Sequence, residues 1–353
     1  MAKERLHELK QTKSEFKVSG IVTGTKSKRF YKSGNSANGA WNAVEFGITF
    51  DEGKTVYLSM RGFTRSEVFY YKKGEGSAKG DTKRVPWRDR NKAPGAGYAL
   101  IGVDLSVGKD ETGKNINSTM TEYDAVEHLR ANLRDGDSVL VVGELQFSSY
   151  TDRNGETKKR TELVPTKIYY TGEPIVFSEQ DKPGTCEFYN TLVFSGIDKE
   201  MDDRDKHTGR YILSGFSVSY ANVEPVSFIM NKSSAKLADN MRKKLKYGNA
   251  IKTYGRVDVI VDTSTVEEED DGWGERSPMQ RINSPVRREY VVYKADPKTI
   301  DVESYSEEAI AMAIRKIKAA KTAEENFNGK AKKNITIEVD DDWSVDDSED
   351  APW

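Results

Sequence analysis

Along much of the chain, apolar and polar positions alternate with a period of two, the pattern of strands that bury one face. In Ala40–Phe50, Val44, Phe46, Ile48 and Phe50 share one face, while Trp41, Ala43, Glu45, Gly47 and Thr49 share the other. Asp51-Glu52-Gly53-Lys54 is a hairpin turn signal. In the following strand Val56, Leu58 and Met60 continue the apolar face, and Tyr57, Ser59, Arg61 and Phe63 the opposite one. Phe16–Gly24, Tyr98–Val107, Asp137–Tyr150 and Lys158–Tyr170 read as further strands, the last two joined by a turn at Asp152-Arg153-Asn154-Gly155. Thr121–Arg134 predicts a helix, with Thr121 as N-cap, Val126 and Leu129 apolar, and Gly136 beyond its end. Residues 64–97 break the order: Gly74, Gly76, Gly80, Pro86, Pro94, Gly95 and Gly97 predict an insertion without regular structure.

After a linker around Gly172–Gly184 the pattern repeats. Thr191–Ile197 contains Ser195-Gly196-Ile197, parallel to Ser19-Gly20-Ile21 in the first strand. A hairpin (Tyr211–Tyr220, Val223–Met230), a short basic helix (Ala235–Leu245) and two more strands follow. With Tyr98–Val107 counted as an addition to the first half, each half is read as three strands, a helix and two strands, the connectivity of a five-stranded Greek-key OB barrel. The competing architecture is another small β-barrel or a split sandwich. The expected organisation is a mainly β chain: a flexible 1–13, an OB domain over 14–175 with its insertion at 64–97, and a second OB domain over 185–300. An amphipathic helix (301–328, Ile310, Ile314 and Ile317 on one stripe) and a disordered acidic tail (329–353) complete it. That helix is expected to pack on the body or, failing that, on a partner.

Charge is distributed unevenly. The chain of 353 residues has 55 Lys/Arg and 57 Asp/Glu. Its first 109 residues hold 21 basic and 11 acidic groups, whereas Thr336–Trp353 holds eight acids and no base. A basic front suggests an anionic partner, nucleic acid first. Residues 186–300 balance at 18 of each sign, so this half is expected to extend a groove weakly or to mediate self-association. The single cysteine, Cys186, excludes an intramolecular disulfide framework and fits a reducing interior. With no apolar stretch of membrane-spanning length and no secretory h-region, the expectation is a cytoplasmic protein with no membrane partner.

Catalysis finds little support. His7, His128 and His207 stand apart from one another and from Cys186. No metal-ligand spacing or phosphate-cradling GxxxxGK[ST] loop occurs, so no enzyme, metal or cofactor is expected. His128 reads as a solvated helix residue and Cys186 as a small core residue. Binding of single-stranded nucleic acid needs a positive track for phosphates and flat rings for unpaired bases. Trp41, Tyr57, Arg61 and Phe63 supply rings and a guanidinium on one predicted face. Lys26, Lys28, Arg29, Phe30, Tyr31 and Lys32 occupy the first long loop, and Lys72, Lys73, Lys83, Arg84, Trp87, Arg88 and Arg90 the insertion. Tyr150, Lys158, Lys159 and Arg160 flank the last hairpin. For each aromatic singly, partial burial is the alternative.

Two stretches resemble the single-stranded-DNA-binding proteins of bacteria and bacteriophages. One runs from Leu133-Arg134-Asp135-Gly136-Asp137 through Gly143-Glu144-Leu145 and Tyr150-Thr151-Asp152-Arg153-Asn154-Gly155 to Thr161-Glu162-Leu163-Val164, similar to that family's fourth and fifth barrel strands. The other is Glu349-Asp350-Ala351-Pro352-Trp353, similar to its acidic tip ending in Pro-Phe. The resemblance implies a phage-type divergent member that coats single-stranded DNA in replication, recombination or repair, in the host cytoplasm if phage-encoded. It also implies that Asp346, Asp347, Glu349, Asp350, Pro352 and Trp353 recruit replication and recombination proteins, with Trp353 and its carboxylate as anchor. Family members form tetramers of one-barrel chains; two barrels here leave the homo-oligomeric state undetermined. An RNA-binding OB protein, or an inhibitor or scaffold whose acidic segments mimic nucleic acid, are the alternatives.

Overall fold

The structure is a computed structural model that describes residues 5–332, apart from 38, 77–78, 153–155, 178–183, 203 and 262–285. The expected tail (329–353, with its partner-binding residues Asp346, Asp347, Glu349, Asp350, Pro352 and Trp353) lies outside the described residues beyond 332, as do the turn residues 153–155 and the acidic run Glu267–Asp271. The chain is mainly β and forms two compact units: Lys13–Asn190 with Thr253–Val257, and Met1–Thr12 with Thr191–Lys252 and Asp258–Trp353.

In the first unit β1 (Ser14–Thr23), β2 (Tyr31–Ser36), β3 (Gly39–Asp51) and β4 (Lys54–Phe63) come first. Then follow β5 (Glu67–Lys72), β6 (Asp81–Pro86), β7 (Ala99–Leu100), β8 (Val103–Lys109), β9 (Asn115–Met120), α1 (Glu122–Asn132), β10 (Ser138–Thr151) and β11 (Thr157–Tyr170). β1 pairs antiparallel with β10 and β3, β3 with β2 and β4, and β10 with β11. The unit therefore holds more than the expected five strands. The parallel partner of β11 is β8, which is paired in turn with β9, and α1 follows β9.

Phe16, Val18, Val22, Phe46, Ile48, Leu58, Met60, Val139 and Val141 fill the core of this unit, each burial contributing about 1.5–3 kcal/mol. α1 closes over it with Ala125, Val126 and Leu129. The helix starts where Thr121 Oγ1 accepts the Asp124 N–H at 3.2 Å, which satisfies one of the free donors of the first turn. His128, expected in solvent, is half-buried and donates from Nε2 to the Val107 carbonyl at 2.7 Å, tying α1 to β8.

The insertion is not irregular. β5 pairs with β6 and β7 in a separate three-stranded sheet with its own small core of Val68, Tyr70 and Val85. The glycines that suggested disorder fall in the connections, and the strand itself alternates: Val68 and Tyr70 inward, Phe69 and Tyr71 outward.

The second unit takes β12 (Thr185–Met201) from Thr191 onward, β13 (His207–Val218), β14 (Val223–Met230), α2 (Ala235–Lys244), β15 (Ala250–Val261) apart from Thr253–Val257, β16 (Val286–Asp301) and α3 (Glu307–Lys332). The strand order β13-β14-β16-β15-β12, with β13 also paired to β12, closes a ring. β14 and β16 form its parallel pair. Leu192, Phe194, Leu213 and Phe228 are buried.

On α3, Ile310, Ala313, Ile314 and Ile317 recur at helical spacing. They pack with Val193, Phe216, Val218 and Val223, and with Leu6 and Leu9 of the N-terminal segment. That segment, expected to be flexible, is pinned because Leu9 is buried and the Thr12 N–H donates to Val218 O at 2.8 Å.

Candidate nucleic-acid interface

Register decides what the β3–β4 hairpin shows to solvent. Trp41 pairs with Phe63, Ala43 with Arg61, Glu45 with Ser59 and Gly47 with Tyr57, while Val44, Phe46, Leu58 and Met60 turn inward. Paired residues share a face, so Trp41, Arg61, Phe63 and Tyr57 stand on one surface. β2 adds Lys32, opposite Ala43, and Gly34, opposite Trp41. The Arg61 guanidinium lies 4.4 Å from the Trp41 ring centre and 5.8 Å from that of Phe63. A Cβ on Gly34 would sit 3.0 Å from Trp41 Nε1, so the indole rests against bare backbone there. Tyr57 is 44 % exposed. Rings and a guanidinium are held in place by the sheet rather than by a loop, the arrangement that lets bases stack at low ordering cost.

The first connection presents its cations differently. Lys26, Lys28 and Arg29 are exposed, but Phe30 is buried with its carbonyl accepting the Glu45 N–H at 3.0 Å, so its ring is closed to a base. Tyr31, in β2, turns toward α1: its hydroxyl donates to Glu127 Oε1 at 2.5 Å, and the Arg130 guanidinium lies 4.0 Å from its ring centre. Burial raises the Tyr31 hydroxyl above its ordinary value, and the bond to Glu127 adds to this. A pocket of about 480 Å³ lies here, with Lys26, Lys28, Arg130 and Arg134 in its lining. Arg130 and Arg134 were missed by the sequence reading, because a base in the last turn of a helix is expected as a partner of the helix dipole. Arg134 does serve that end, donating to Leu133 O at 2.8 Å and Ala131 O at 2.5 Å.

In the insertion the expected residues divide. Lys72, Lys73, Lys83, Arg84 and Arg88 are exposed. Arg90 instead grips α1, donating to Asp124 at 2.7 and 2.9 Å, and its guanidinium lies 4.6 Å from the Trp87 ring, which meets Tyr123 edge-on at 6.1 Å. Burial alone would raise the Asp124 carboxyl, but hydrogen bonds from Arg90 and Thr121 outweigh it and hold the group below its ordinary value. Trp87 and Arg90 are therefore a clasp between insertion and helix.

At the far end of β10–β11, Tyr150 is 46 % exposed opposite Lys158, and Ser148 stands opposite Arg160. Lys158 pairs with Asp152 at 3.1 Å and Arg160 with Glu162 at 2.7 Å. Lys159, exposed, alternates to the other face of the arm. The structure thus brings Trp41, Arg61, Phe63 and Lys32 together on one surface, turns Phe30 inward, and commits Tyr31, Trp87 and Arg90 to contacts with α1. Among the described residues no group of three or more His, Cys, Asp or Glu could hold a metal ion, and no helix is long and apolar enough to cross a membrane.

The family model YorF matches residues 73–330 of the chain. No curated protein matches it in sequence. Among solved structures, the wild-type single-stranded DNA binding protein from Thermus aquaticus is similar with a TM-score of 0.36 at 10 % identity, over 81 % of this chain and 93 % of that one. A deletion mutant of the same protein gives 0.36 and 10 % over 81 % and 94 %. A likeness this loose leaves function to be read from the residues.

Proposed function

The chain belongs to the YorF family, and we propose that it binds single-stranded DNA without sequence preference, coating it during replication, recombination or repair. The observation that carries this reading is the Trp41–Arg61–Phe63 cluster on the solvent face of β3–β4, with Lys32 beside it. A base can stack on Phe63 and on the guanidinium plane backed by the Trp41 indole, while Lys32 and the cations of 26–29 take phosphates. None of these contacts reads a base edge, so sequence preference is not expected.

The five-strand ring of the second unit, with a parallel β14–β16 pair and α2 between its third and fourth strands, supports an OB barrel there. The first unit is read as an elaborated barrel of the same kind. The second unit's apolar outer strip, Val193, Phe216, Val218 and Val223, is covered by α3 and the N-terminal segment, which supports giving the DNA contacts to the first unit. The role is that of a binder without a catalytic step, working in the cytoplasm. Its acidic C-terminal residues compete for the groove and, through Asp350, Pro352 and Trp353, hold partner proteins.

Tryptophan fluorescence titration with oligo-dT at two salt concentrations tests the reading. Quenching is expected, with log affinity falling against log salt by about 0.7 per phosphate neutralised. Affinity independent of salt overturns the groove, and a tighter complex with RNA of the same sequence overturns the DNA assignment.

A further inference from the structure

The β5–β6–β7 sheet has two faces of opposite character. Val68, Tyr70 and Val85 are buried in its own core, backed by Trp87, Tyr98 and Leu100. Phe69 and Tyr71, which period-two alternation puts on the other side of β5, are 37 % and 43 % exposed. Register sets Arg84 opposite Phe69 and Thr82 opposite Tyr71. The Arg84 guanidinium lies 5.7 Å from the Phe69 ring centre and pairs with Glu67 at 3.4 Å. A Cβ on Gly80 would come within 2.2 Å of the Tyr71 hydroxyl, so this ring lies across bare backbone as Trp41 does over Gly34. Residues 64–97 hold nine Lys/Arg against four Asp/Glu; Lys73 is exposed just past β5, while register sets Lys72 and Lys83 opposite Asp81 and Tyr70, on the other face of the sheet.

We propose that this outer face is a second stacking platform for single-stranded DNA, in which Phe69, Tyr71 and Arg84 take bases and Lys73, just past the end of β5, takes phosphate. The proposal rests on the reading of the chain as a single-stranded-DNA-binding protein and adds a second site to it. Residues two apart on a strand stand about 7 Å from each other. That is about twice the 3.4 Å rise of stacked bases, so one base fits between two such rings or one rests on each. Two exposed rings beside Arg84 and Lys73, with Glu67 as the one acid of the strand pair on this face, favour an anionic, ring-bearing occupant over an apolar protein face.

The sheet is also held in place. Arg90 binds Asp124 and Trp87 meets Tyr123, both on α1, which packs against β3 and β4. A strand long enough to reach both platforms is captured at the second intramolecularly, with a gain in avidity that a short oligomer cannot show.

The test is fluorescence anisotropy on the full chain with labelled dT oligomers of about 8 and about 30 nucleotides. The double variant Phe69→Ala/Tyr71→Ala is expected to bind the long oligomer at least about tenfold more weakly. It should bind the short one within about twofold of wild type, since both side chains are exposed. Phe69→Trp/Tyr71→Trp is expected to retain the long-oligomer affinity, which a role in folding alone does not predict. Unchanged affinity for both lengths in the alanine variant overturns the platform. An equal loss at both lengths overturns it as a separate site. A wild-type chain that binds neither oligomer overturns the single-stranded-DNA reading itself, and the platform with it.

Discussion

Arg61 holds its guanidinium 4.4 Å from the Trp41 ring centre across the β3–β4 pair, one strand away and diagonal in register. The contact pre-orders two groups that unpaired bases and phosphates need, on a surface where nothing in the hydrophobic core requires an indole. Trp41→Ala and Phe63→Ala are each expected to weaken oligo-dT binding by about 1–3 kcal/mol. Arg61→Lys keeps the charge but loses the planar guanidinium, so the expected outcome is weaker binding with an unaltered salt slope. Titrations at three salt concentrations separate the two effects. Full affinity in Trp41→Ala would remove this face from the interface.

Gly34 offers a way to disturb the site without touching a contact residue. A side chain there meets the Trp41 indole at 3.0 Å and must push it aside. Gly34→Val is expected to lower affinity by about tenfold, with the melting temperature close to that of the parent. Binding equal to wild type would show that the indole's position is immaterial.

The Arg90–Asp124 bidentate pair, with side chains 24 % and 21 % exposed, should behave as structure rather than as interface. Breaking a partly buried, hydrogen-bonded pair leaves a charge uncompensated, so Arg90→Ala is expected to cost about 1–3 kcal/mol of stability. Chemical denaturation reads this directly. A variant with unchanged stability and lost DNA binding would instead return Arg90 to the interface.

The same carboxylate gives an acid limb. Asp124 is held below its ordinary 3.8 in the folded chain, and so is Asp301, through hydrogen bonds from the Ser304 side chain and backbone. A depressed folded value means stability fully present above about pH 3.8 and lost as pH falls toward the folded values. Asp124→Asn should flatten that fall. An acid limb unchanged in the variant would exclude Asp124 as its source.

Tyr305 supplies the opposite limb. Its buried hydroxyl donates to Lys10 O at 2.9 Å, and burial, with the Asp301 charge second, pushes it up to about 12. A raised folded value means stability intact below the ordinary value of 10 and lost between about 10 and 12. Tyr305→Phe should lose about 1 kcal/mol at neutral pH and shed part of that alkaline limb. Leu9→Ala, which empties the cluster shared with Ile310, should cost about 2–5 kcal/mol. Melting curves across pH check both.

Removing residues 336–353 tests the acidic segment. Its eight carboxylates carry charge of the same sign as DNA, so deletion is expected to tighten oligo-dT binding, most at low salt where screening is weakest. Equal affinity at low salt would dismiss the competition, and partner capture by the deleted chain would dismiss the handle.

Much of the candidate site is legible in the sequence because alternation is a local property. Trp41, Arg61 and Phe63 share a parity, and one-face burial of Phe46, Leu58 and Met60 leaves them outside. Phe30 was misread because basic neighbours say nothing about whether a ring turns inward. The insertion was misread because glycines were counted without asking whether they fell in strands or between them. Phe69 and Tyr71 lie in a short run that carries the same period-two signal, and that signal was obscured by the glycines around it.

By itself, the sequence determined the β3–β4 and β10–β11 hairpins, the polarity of the β3–β4 face, the basic front and the acidic end, since each depends on residues close together in the chain. Only the tertiary structure decided which strands pair: that β11 takes β8 as its parallel neighbour, and that the second unit closes into a ring. It also decided that Arg90 is committed to α1, and that Leu9 lies under a helix some 300 residues away. Those outcomes turn on burial and hydrogen-bond satisfaction between segments far apart in sequence, a competition that no local pattern records.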